Sequence, residues 1–459
     1  MDPEQLPIQP GGGVFDTHHP PEQQLIEECV HCGFCLPTCP TYALWNEEMD
    51  SPRGRIYLMK LGAEGKAEMT DSYVGHFDKC LGCMACMTAC PSGVQYSKLI
   101  EATRSQIERN YQRSFTDALM RKLIFAIFPY PNRLRLIALP TWLYQASGLR
   151  YLVRHSGLLN LLPATIKSAE ALQPEVSLGD LYAKMPTHVP AAGKARLRVG
   201  LLAGCVQSVF FSRVNQATAR VLAAEGCEVI NPANQVCCGA LMIHTGREDQ
   251  ALNLARATID VFERANVDVI VNNAAGCGSN LKDYGYLFRD DPNYADRAKQ
   301  FSAKCKDISE VLADLEPQAA RHPIPLRIAY HDACHLQHAQ GVRLQPRKVL
   351  ASIPQLELLE IPDAAICCGS AGIYNMVEPE PAQQLGDRKV ENCLATGAQM
   401  VVTSNPGCIL QIAAGLQRAG HNIPVKHMIE LVDASITGRT GDLLSANKNR
   451  ATFPKIPSA

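Results

Sequence analysis

The chain has 459 residues, of which 46% are hydrophobic and 19% are charged, an ordinary globular balance that predicts about two to four domains with buried cores. The formal net charge of -1 gives no electrostatic basis for nucleic acid as a partner, and no apolar run is long enough to span a bilayer. The chain contains 19 cysteines and no secretory signal at its start, so we expect a cytoplasmic protein whose thiols bind metal instead of forming disulfides.

Two cysteine runs follow an N-terminal segment, residues 1–21, whose Pro, Gly and Gln content predicts a disordered tail. Residues 29–40 are CVHCGFCLPTCP, and residues 80–91 are CLGCMACMTACP. Both have the spacing C-x2-C-x2-C-x3-C-P, which is typical of [4Fe-4S] clusters because each iron takes one thiolate. Zinc and disulfides are the alternatives, but structural zinc is usually bound by separate C-x2-C pairs.

The two runs predict two clusters that exchange a ligand. In bacterial two-cluster ferredoxins, the fourth cysteine of each run binds the other cluster. On this rule, one cluster is bound by Cys29, Cys32, Cys35 and Cys90, and the other by Cys80, Cys83, Cys86 and Cys39. Such crossed ligation places the two clusters close together, which suits electron transfer between them.

The segment between the two runs predicts helices. It contains SPRGRIYLMKLGAEG, in which Ser51 is a suitable N-cap and Pro52 a suitable first helical residue. The gap is long for a β-hairpin ferredoxin, so we expect residues 22–110 to form an all-α two-cluster domain of the ferredoxin type. Arg53 and Arg55 either tune the clusters by their charge or are solvated at the start of the helix.

Residues 111–195 are expected to be a helical connector that ends in a linker. The stretch RKLIFAIFPYPNRLRLIALPTWLY is apolar with interspersed arginines, and its prolines divide it into separate helices. These helices either pack on the domains or lie against a membrane surface or a partner protein.

The chain beyond residue 195 predicts a duplicated α/β fold with parallel sheets. Strand patterns such as RLRVGLL alternate with helices. The order single cysteine, Cys-Cys-Gly, single cysteine occurs twice, at Cys205, Cys237, Cys238 and Cys277 and again at Cys334, Cys367, Cys368 and Cys408. Corresponding cysteines are 129 to 131 residues apart, which indicates an internal duplication. We therefore expect Cys-Cys-Gly domains at residues 196–320 and 321–440 and a tail at 441–459.

The role of the repeat cysteines is open at the level of the sequence. They lie where strands end, at the sheet edge where ligands bind in such folds. A redox disulfide, a further metal site, an unusual cluster and a structural thiol are the alternatives. Three other cysteines, Cys227, Cys305 and Cys393, are expected to be inert buried thiols. A mixed metal site and ordinary packing are the alternatives for the nearby histidines His331, His335 and His338.

These motifs together resemble the heterodisulfide reductase/glycolate oxidase iron–sulfur group with its Cys-Cys-Gly domains. Within that group, five stretches look most like the iron–sulfur subunits of glycolate dehydrogenase (glycolate oxidase): CVHCGFCLPTCPTY, DSPRGRIYLMK, KCLGCMACMTACPSGVQY, CCGSAGIYN and GCGSNLKDYG. The resemblance extends over roughly residues 22–435, which is nearly the whole chain.

The resemblance implies an electron-transfer subunit that is not active alone. In that family, an FAD-containing subunit oxidises glycolate to glyoxylate, and the iron–sulfur subunit passes electrons to a membrane quinone instead of NAD or oxygen. It implies two [4Fe-4S] clusters in this chain, FAD in the partner, and a peripheral contact with the cytoplasmic face of the inner membrane. No catalytic residue is assigned to this chain, which has no G-x-G-x-x-G fingerprint after a predicted strand.

Three other functions remain as alternatives. Iron–sulfur subunits of lactate or glycerol-3-phosphate dehydrogenases have a similar layout, and heterodisulfide reductases use related domains for thiol–disulfide chemistry. The reductases have an additional cysteine three residues from the last one of each repeat. Here those positions are occupied by Ala274 and Asn280 in the first repeat and by Asn405 and Gln411 in the second. A noncubane cluster of the reductase kind is therefore not expected.

Overall fold

A computed structural model describes residues 13–443 of the chain. Within them, every strand lies after residue 187, and the earlier part consists of helices and loops. The helices of this first part are α1 (Gln23–Glu27), α2 (Pro40–Trp45), α3 (Pro52–Ala63), α4 (Asp71–Asp78), α5 (Ala85–Ala89), α6 (Tyr96–Asn110), α7 (Phe115–Ile127), α8 (Pro131–Ala146), α9 (Leu149–His155), α10 (Ala164–Ala171) and α11 (Leu178–Leu181).

Helix α3 begins where the sequence predicts it. Ser51 is the N-cap, and its side-chain oxygen accepts a hydrogen bond from the backbone N–H of Gly54 at 3.1 Å. Gly54 packs so tightly against the preceding turn that a Cβ there would lie 2.0 Å from the carbonyl oxygen of Glu48. Met59 of α3 and Phe77 of α4 are fully buried and form the core of the domain that carries both cysteine runs.

The prediction of a disordered N-terminal tail is wrong for residues 13–21, the part of it that the structure describes. Phe15 is buried, and the backbone N–H of Val14 donates to the carbonyl oxygen of Gly62 at 3.2 Å. Asp16 forms an ion pair with Arg109 of α6 at 3.0 Å. Residues 13–21 are therefore anchored on the first domain, although their composition resembles that of a tail. Residues 1–12 and 444–459, the rest of the two predicted tails, lie outside the described residues.

The second part is built on two mainly parallel sheets. The first sheet has the strand order β1-β3-β2-β4-β5, in which only the edge pair β1–β3 is antiparallel. Its strands are β1 (His188–Val189), β2 (Leu197–Leu201), β3 (Cys227–Ile230), β4 (Val269–Asn272) and β5 (Cys305–Asp307). The second sheet has the order β7-β6-β8-β9 and is parallel throughout. Its strands are β6 (Arg327–His331), β7 (Glu357–Glu360), β8 (Met400–Thr403) and β9 (Val425–His427).

Helices connect the strands in both repeats, as parallel pairing requires. In the first repeat they are α12 (Cys205–Phe210), α13 (Ser212–Ala224), α14 (Ala240–Ile243), α15 (Glu248–Ala265), α16 (Ala275–Leu287), α17 (Ala295–Lys304) and α18 (Ile308–Asp314). In the second they are α19 (Leu344–Ala351), α20 (Tyr374–Val377), α21 (Pro379–Ala395), α22 (Pro406–Arg418) and α23 (Met428–Thr437), with a π-helical turn at His335–Ala339. The predicted duplication is thus visible in the order of elements.

The two repeats share one hydrophobic core. Helix α13 packs against α23, and α18 packs against α19, so each repeat contributes an early helix and its last helix to the contact. Val199 and Leu201 of β2 belong to the same buried cluster as Ile328 of β6 and Met428 of α23. An ion pair between Arg220 and Asp433, at 2.7 Å, bridges α13 and α23. The two repeats therefore form one packed body.

Candidate metal centres

The buried half of the first domain gathers the cysteines that the crossed ligand rule assigns to one cluster. Cys80, Cys83 and Cys86 line a single cavity together with Cys39 from the other run. All four side chains are less than a tenth exposed. Helices α2, α3 and α4 lie between Cys39 and Cys80 in the sequence, and their packing brings the first run back to the second.

Both runs use the same backbone conformation to direct their sulfurs inward. The residue before the second cysteine and the residue after it have positive φ in each run: His31 (53°) and Gly33 (89°) in the first, Gly82 (62°) and Met84 (61°) in the second. The fourth cysteines also match, with φ and ψ of -82° and 117° at Cys39 and -84° and 115° at Cys90. Left-handed conformations are costly for His31 and Met84. The same strained backbone conformation in both runs therefore indicates that each run binds the same kind of group.

The other cysteine set lies at the surface. Cys32 is exposed, and Cys29, Cys35 and Cys90 are partly buried. Cys29 lies within electrostatic range of both Cys90 and Cys32, although burial is the main reason that its pKa is raised. The neighbouring side chains Val30 and Phe34 are 66% and 67% exposed. A group held by this set would therefore lie near the protein surface, whereas the cavity around Cys83 is lined by buried side chains.

A buried arginine provides the positive charge at the enclosed cavity. Arg55 is 1% exposed and lies on the cavity wall. Burial by itself would raise the pKa of Cys80, but the charges of Arg55 and Arg104 outweigh it and hold the pKa of this thiol below its usual value. At Cys83 and Cys86, burial dominates and raises the pKa well above the usual value. Four thiols facing a buried cation fit an anionic metal–sulfur cofactor.

Arg55 is itself held by a network of buried polar groups. It lies 3.5 Å from Asp50 and donates to the hydroxyl of Thr41 at 3.2 Å. Asp50 also pairs with Lys79 at 3.1 Å and with His76 at 2.9 Å. These contacts fix the guanidinium against the cavity. The hypothesis that Arg55 merely faces solvent at the start of α3 is therefore wrong, while Arg53 is partly exposed and pairs with Glu48 at 2.6 Å.

The first Cys-Cys-Gly repeat brings its four predicted cysteines together. The Sγ atoms of Cys205 and Cys237 are 3.4 Å apart. Cys238 contacts the thiols of both Cys237 and Cys277, and these contacts are the main reason that the pKa of Cys238 is raised well above its usual value. The thiols lie at the carboxyl ends of β2, β3 and β4, which is the sheet edge that the sequence predicts.

The second repeat gathers the corresponding four thiols and one histidine. Cys367 contacts Cys334 and Cys368, and Cys368 in turn contacts Cys408. The amide of Asn405 donates to the Sγ of Cys408 at 3.4 Å. One ring nitrogen of His331 and the sulfurs of Cys368 and Cys408 all lie within 4.8 Å of one another. Both repeats therefore bring four thiols together, and the second repeat adds the imidazole of His331.

The second repeat is also the one that adjoins the enclosed cavity of the first domain. Leu81, Cys83 and Ala85 share a hydrophobic cluster with Cys367 and Tyr374, and Cys334 is packed against it. The thiols of the first repeat instead belong to a cluster that includes Ile124 and Phe125 of α7. The spacing of the cysteines does not indicate which repeat adjoins the cavity, because this depends on how the first domain packs against the repeats.

The other two histidines near Cys334 form hydrogen bonds between the second repeat and the first domain. The ring nitrogens of His335 lie 2.9 Å from the carbonyl oxygen of Gly82 and 2.7 Å from the hydroxyl of Ser279. Those of His338 lie 2.8 Å from the hydroxyl of Thr88 and 3.1 Å from the carbonyl oxygen of Ala365. Burial lowers the pKa of His335 to about 3, so it is neutral. Of the three predicted histidines, only His331 lies among the thiols.

The connector exposes an apolar surface. Helix α8 buries Leu134 and Ala138 but leaves Leu136, Leu143 and their neighbours Ile137 and Leu139 exposed. Tyr151 of α9 is 66% exposed. Over residues 13–443, no helix combines the length and the hydropathy that a transmembrane span needs. The exposed apolar side chains therefore lie on the surface of short helices, as in proteins that contact another surface.

Comparisons with known families match nearly every part of this architecture. Residues 25–94 match the model of a 4Fe-4S dicluster domain. Residues 199–282 and 328–413 match the model of a cysteine-rich domain. Residues 116–172, in the connector, match the linker region of the glycolate oxidase iron–sulfur subunit.

Similar proteins extend over most of the chain. A probable glycolate oxidase iron–sulfur subunit of Bacillus subtilis is 40% identical over 410 residues, which are 88% of this chain and 92% of that protein. The glycolate oxidase iron–sulfur subunit of Escherichia coli is 36% identical over 90% of this chain and 94% of its own length. Lactate utilization protein A of Exiguobacterium sp. is 30% identical over 98% of its length, which corresponds to 52% of this chain.

Proposed function

This chain belongs to the family of glycolate oxidase iron–sulfur subunits, and on that premise we propose that it is the electron-transfer subunit of a flavin-dependent glycolate dehydrogenase complex. The complex oxidises glycolate to glyoxylate and delivers the electrons to a quinone-type acceptor instead of NAD or oxygen. The observation that carries the proposal is the cavity lined by Cys39, Cys80, Cys83 and Cys86, within a chain that matches subunits of this name over its connector as well as its metal-binding parts.

The proposed cofactors of this chain are two [4Fe-4S] clusters. Cys80, Cys83, Cys86 and Cys39 would hold the enclosed one, and Cys29, Cys32, Cys35 and Cys90 the one at the surface. A [4Fe-4S] cluster exchanges single electrons when bound. The chain's own residues contribute the thiolates, exclude water around Cys83 and Cys86, and place the charge of Arg55 beside the enclosed site.

The flavin is proposed to lie in a partner subunit. Removing two electrons and a proton from a hydroxyl carbon needs a hydride-accepting cofactor, and the sequence contains no dinucleotide fingerprint after a predicted strand. This chain alone is therefore proposed to be inactive towards glycolate. The proposed domain boundaries are a cluster-binding unit over 13–110, a connector over 111–187, and repeats over 188–320 and 321–440. The first repeat begins before the predicted residue 196, because β1 (His188–Val189) belongs to its sheet.

The connector is the proposed contact with the membrane. Its exposed apolar residues on α8 and α9 are interspersed with Arg133 and Arg135, a combination that favours the interface of an anionic bilayer. A peripheral position on the cytoplasmic face of the inner membrane would bring the chain close to a quinone pool.

The proposal is tested by removing one ligand of the enclosed cluster. In a complex with its flavoprotein partner, Cys86→Ser should leave the reduction of the flavin by glycolate intact, because no residue of that step lies in this chain. Electron delivery to a soluble quinone analogue should fall at least about tenfold, the equivalent of about 1.4 kcal/mol in the barrier. Cys393→Ser, which changes an equally buried thiol outside every motif, serves as the control. Unchanged quinone reduction in Cys86→Ser would contradict the proposed role.

A further inference from the structure

His331 is a buried imidazole in contact with a thiol. It is 1% exposed, its ring nitrogens have no hydrogen-bond partner among the described nitrogen and oxygen atoms, and the polar group that it contacts is the thiol of Cys368. The hydroxyl of Thr403, the residue opposite His331 in the β6–β8 register, is buried and unpartnered as well. A buried imidazole whose polar contact is a thiol is suited to bind a metal ion together with that thiol.

The groups that surround the imidazole are metal ligands. His331 is the last residue of β6, Cys368 follows β7, and Cys408 lies in the first turn of α22 after β8. The carboxyl ends of three adjacent parallel strands thus converge on one point, which is where ligands bind in open α/β sheets. A nitrogen of His331 and the sulfurs of Cys368 and Cys408 lie within 4.8 Å of one another.

The first repeat provides an internal comparison. The residue three positions before Cys205 is Leu202, and the residue three positions before Cys334 is His331. Leu202 is 2% exposed and lies in the same hydrophobic cluster as Cys237 and Cys238. An apolar side chain therefore satisfies this position in the first repeat, and packing does not require a histidine in the second. The imidazole is explained by a function that the first repeat lacks.

We propose that the second repeat binds a single soft divalent metal ion, zinc or ferrous iron, through His331, Cys368 and Cys408, with Cys334 or Cys367 as the fourth ligand. Tetrahedral sites with Zn–S distances of about 2.3 Å and Zn–N distances of about 2.0 Å place their ligand atoms roughly 3.5–3.8 Å apart. Because the three ligand atoms lie within 4.8 Å of one another, a contraction of at most about 1 Å closes such a site. The site is separate from the two proposed clusters and does not depend on the proposed activity.

The nearby His335 is not proposed as a metal ligand, because its ring already has other partners. Its two ring nitrogens are already within hydrogen-bonding distance of Gly82 and Ser279, so it has no free lone pair directed at the thiols. It is a partly buried histidine four residues from His331, and it therefore serves as the control for a substitution at His331.

The test measures metal and acid-labile sulfide in the full chain, purified anaerobically with its clusters. Iron–sulfur cubes contain equal amounts of iron and sulfide, so the sum of iron and zinc minus sulfide counts the ions bound outside cubes. His331→Gln should lose one metal atom per chain at unchanged sulfide. His335→Gln should lose none, and His331→Cys, which replaces one soft ligand with another, should retain the ion. The identity of the lost metal distinguishes zinc from ferrous iron.

Each alternative result overturns the proposal in a different way. An unchanged metal content in His331→Gln would show that the imidazole is not a ligand. A parallel loss of several irons with sulfide would show a cluster at this site instead of a single ion. Retention of the two cubes in His331→Gln, judged by their visible absorbance, shows that the variant is folded. The test is therefore independent of glycolate, of the flavoprotein partner and of any turnover.

Discussion

Arg55 illustrates how single residues define the enclosed site. Its guanidinium is 1% exposed, and Thr41, Asp50 and the carbonyl oxygen of His76 hold it against the cavity. A buried cation without compensation costs several kcal/mol, and Asp50 alone does not explain its position on a wall that also carries the sulfur of Cys80. The anionic cofactor that the thiols are proposed to hold would provide the remaining compensation.

Crossed ligation leads to a prediction about Cys39 and Cys35. Cys39→Ser should perturb the same cluster as Cys83→Ser, because both side chains line one cavity. Cys35→Ser, only four positions away in the sequence, should perturb the other cluster. Electron paramagnetic resonance of the singly reduced protein distinguishes the two, since each cluster gives its own signal. If Cys39→Ser and Cys35→Ser changed the same signal, the crossing would be wrong.

At the scale of elements, the contact between α6 and the first repeat is expected to depend on pH. Glu101 of α6 lies 2.9 Å from the ring of His244, near Arg104, Asp283 and Glu248. Burial raises the pKa of Glu101 from 4.5 to about 7, although the charge of Arg104 opposes the shift. Burial also lowers the pKa of His244 to about 4, so this histidine stays neutral near pH 7.

The sign of the pH effect follows from the raised pKa of Glu101. Because ionisation disfavours the folded state, the contribution of the protonated carboxyl is fully present below pH about 4.5 and is lost as the pH rises through 7. The loss is at most about 3 kcal/mol. Asp283, with a pKa raised to about 7 by burial, acts in the same direction.

The measurement is the thermal midpoint of the cluster-loaded chain between pH 6 and pH 8. The midpoint of the unmodified chain should fall over this range, and Glu101→Gln should flatten the fall. Glu263→Gln, on an exposed part of α15, is the control and should leave the slope unchanged. Equal slopes in all three proteins would show that Glu101 does not titrate in this window.

The apolar surface of α8 leads to a prediction about membranes. Leu136 is 74% exposed, and Leu136→Asp together with Leu143→Asp should reduce binding to vesicles of anionic phospholipid at least about fivefold. The expectation follows from the lost burial of two side chains, each about 1.5–3 kcal/mol when complete, and from added negative charge. Leu344→Asp, at an equally exposed leucine of the second repeat, is the matched control. Equal vesicle binding by both variants would place the membrane contact elsewhere.

Local patterns in the sequence predict most elements but not their contacts with distant ones. The N-cap at Ser51 and the strands of both repeats depend on neighbouring residues or on the duplication, and the structure shows them. The packing of residues 13–21 depends on Asp16 reaching Arg109, more than 90 residues away. The separate roles of His331 and His335 likewise depend on docking, which no spacing within the run HDACHLQH indicates.

At the scale of the whole molecule, three of the cysteine sites are ordered from the surface towards the interior. The proposed surface cluster lies beside exposed Val30 and Phe34, the enclosed one lies deeper, and the thiols of the second repeat adjoin Cys83. The first repeat lies apart from this arrangement, against α7 of the connector. Such an order suits the proposed role of a subunit that moves electrons between partners.

The most direct test of the electron-transfer role follows the visible absorbance of the clusters after mixing with glycolate under anaerobic conditions. The chain alone, with its clusters and free of flavin, should show no bleaching and form no glyoxylate. After addition of the flavoprotein partner, glycolate should reduce the flavin and then bleach the clusters of this chain. Glyoxylate formed by the flavin-free chain, or clusters that stay oxidised beside a fully reduced flavin, would contradict the proposed function.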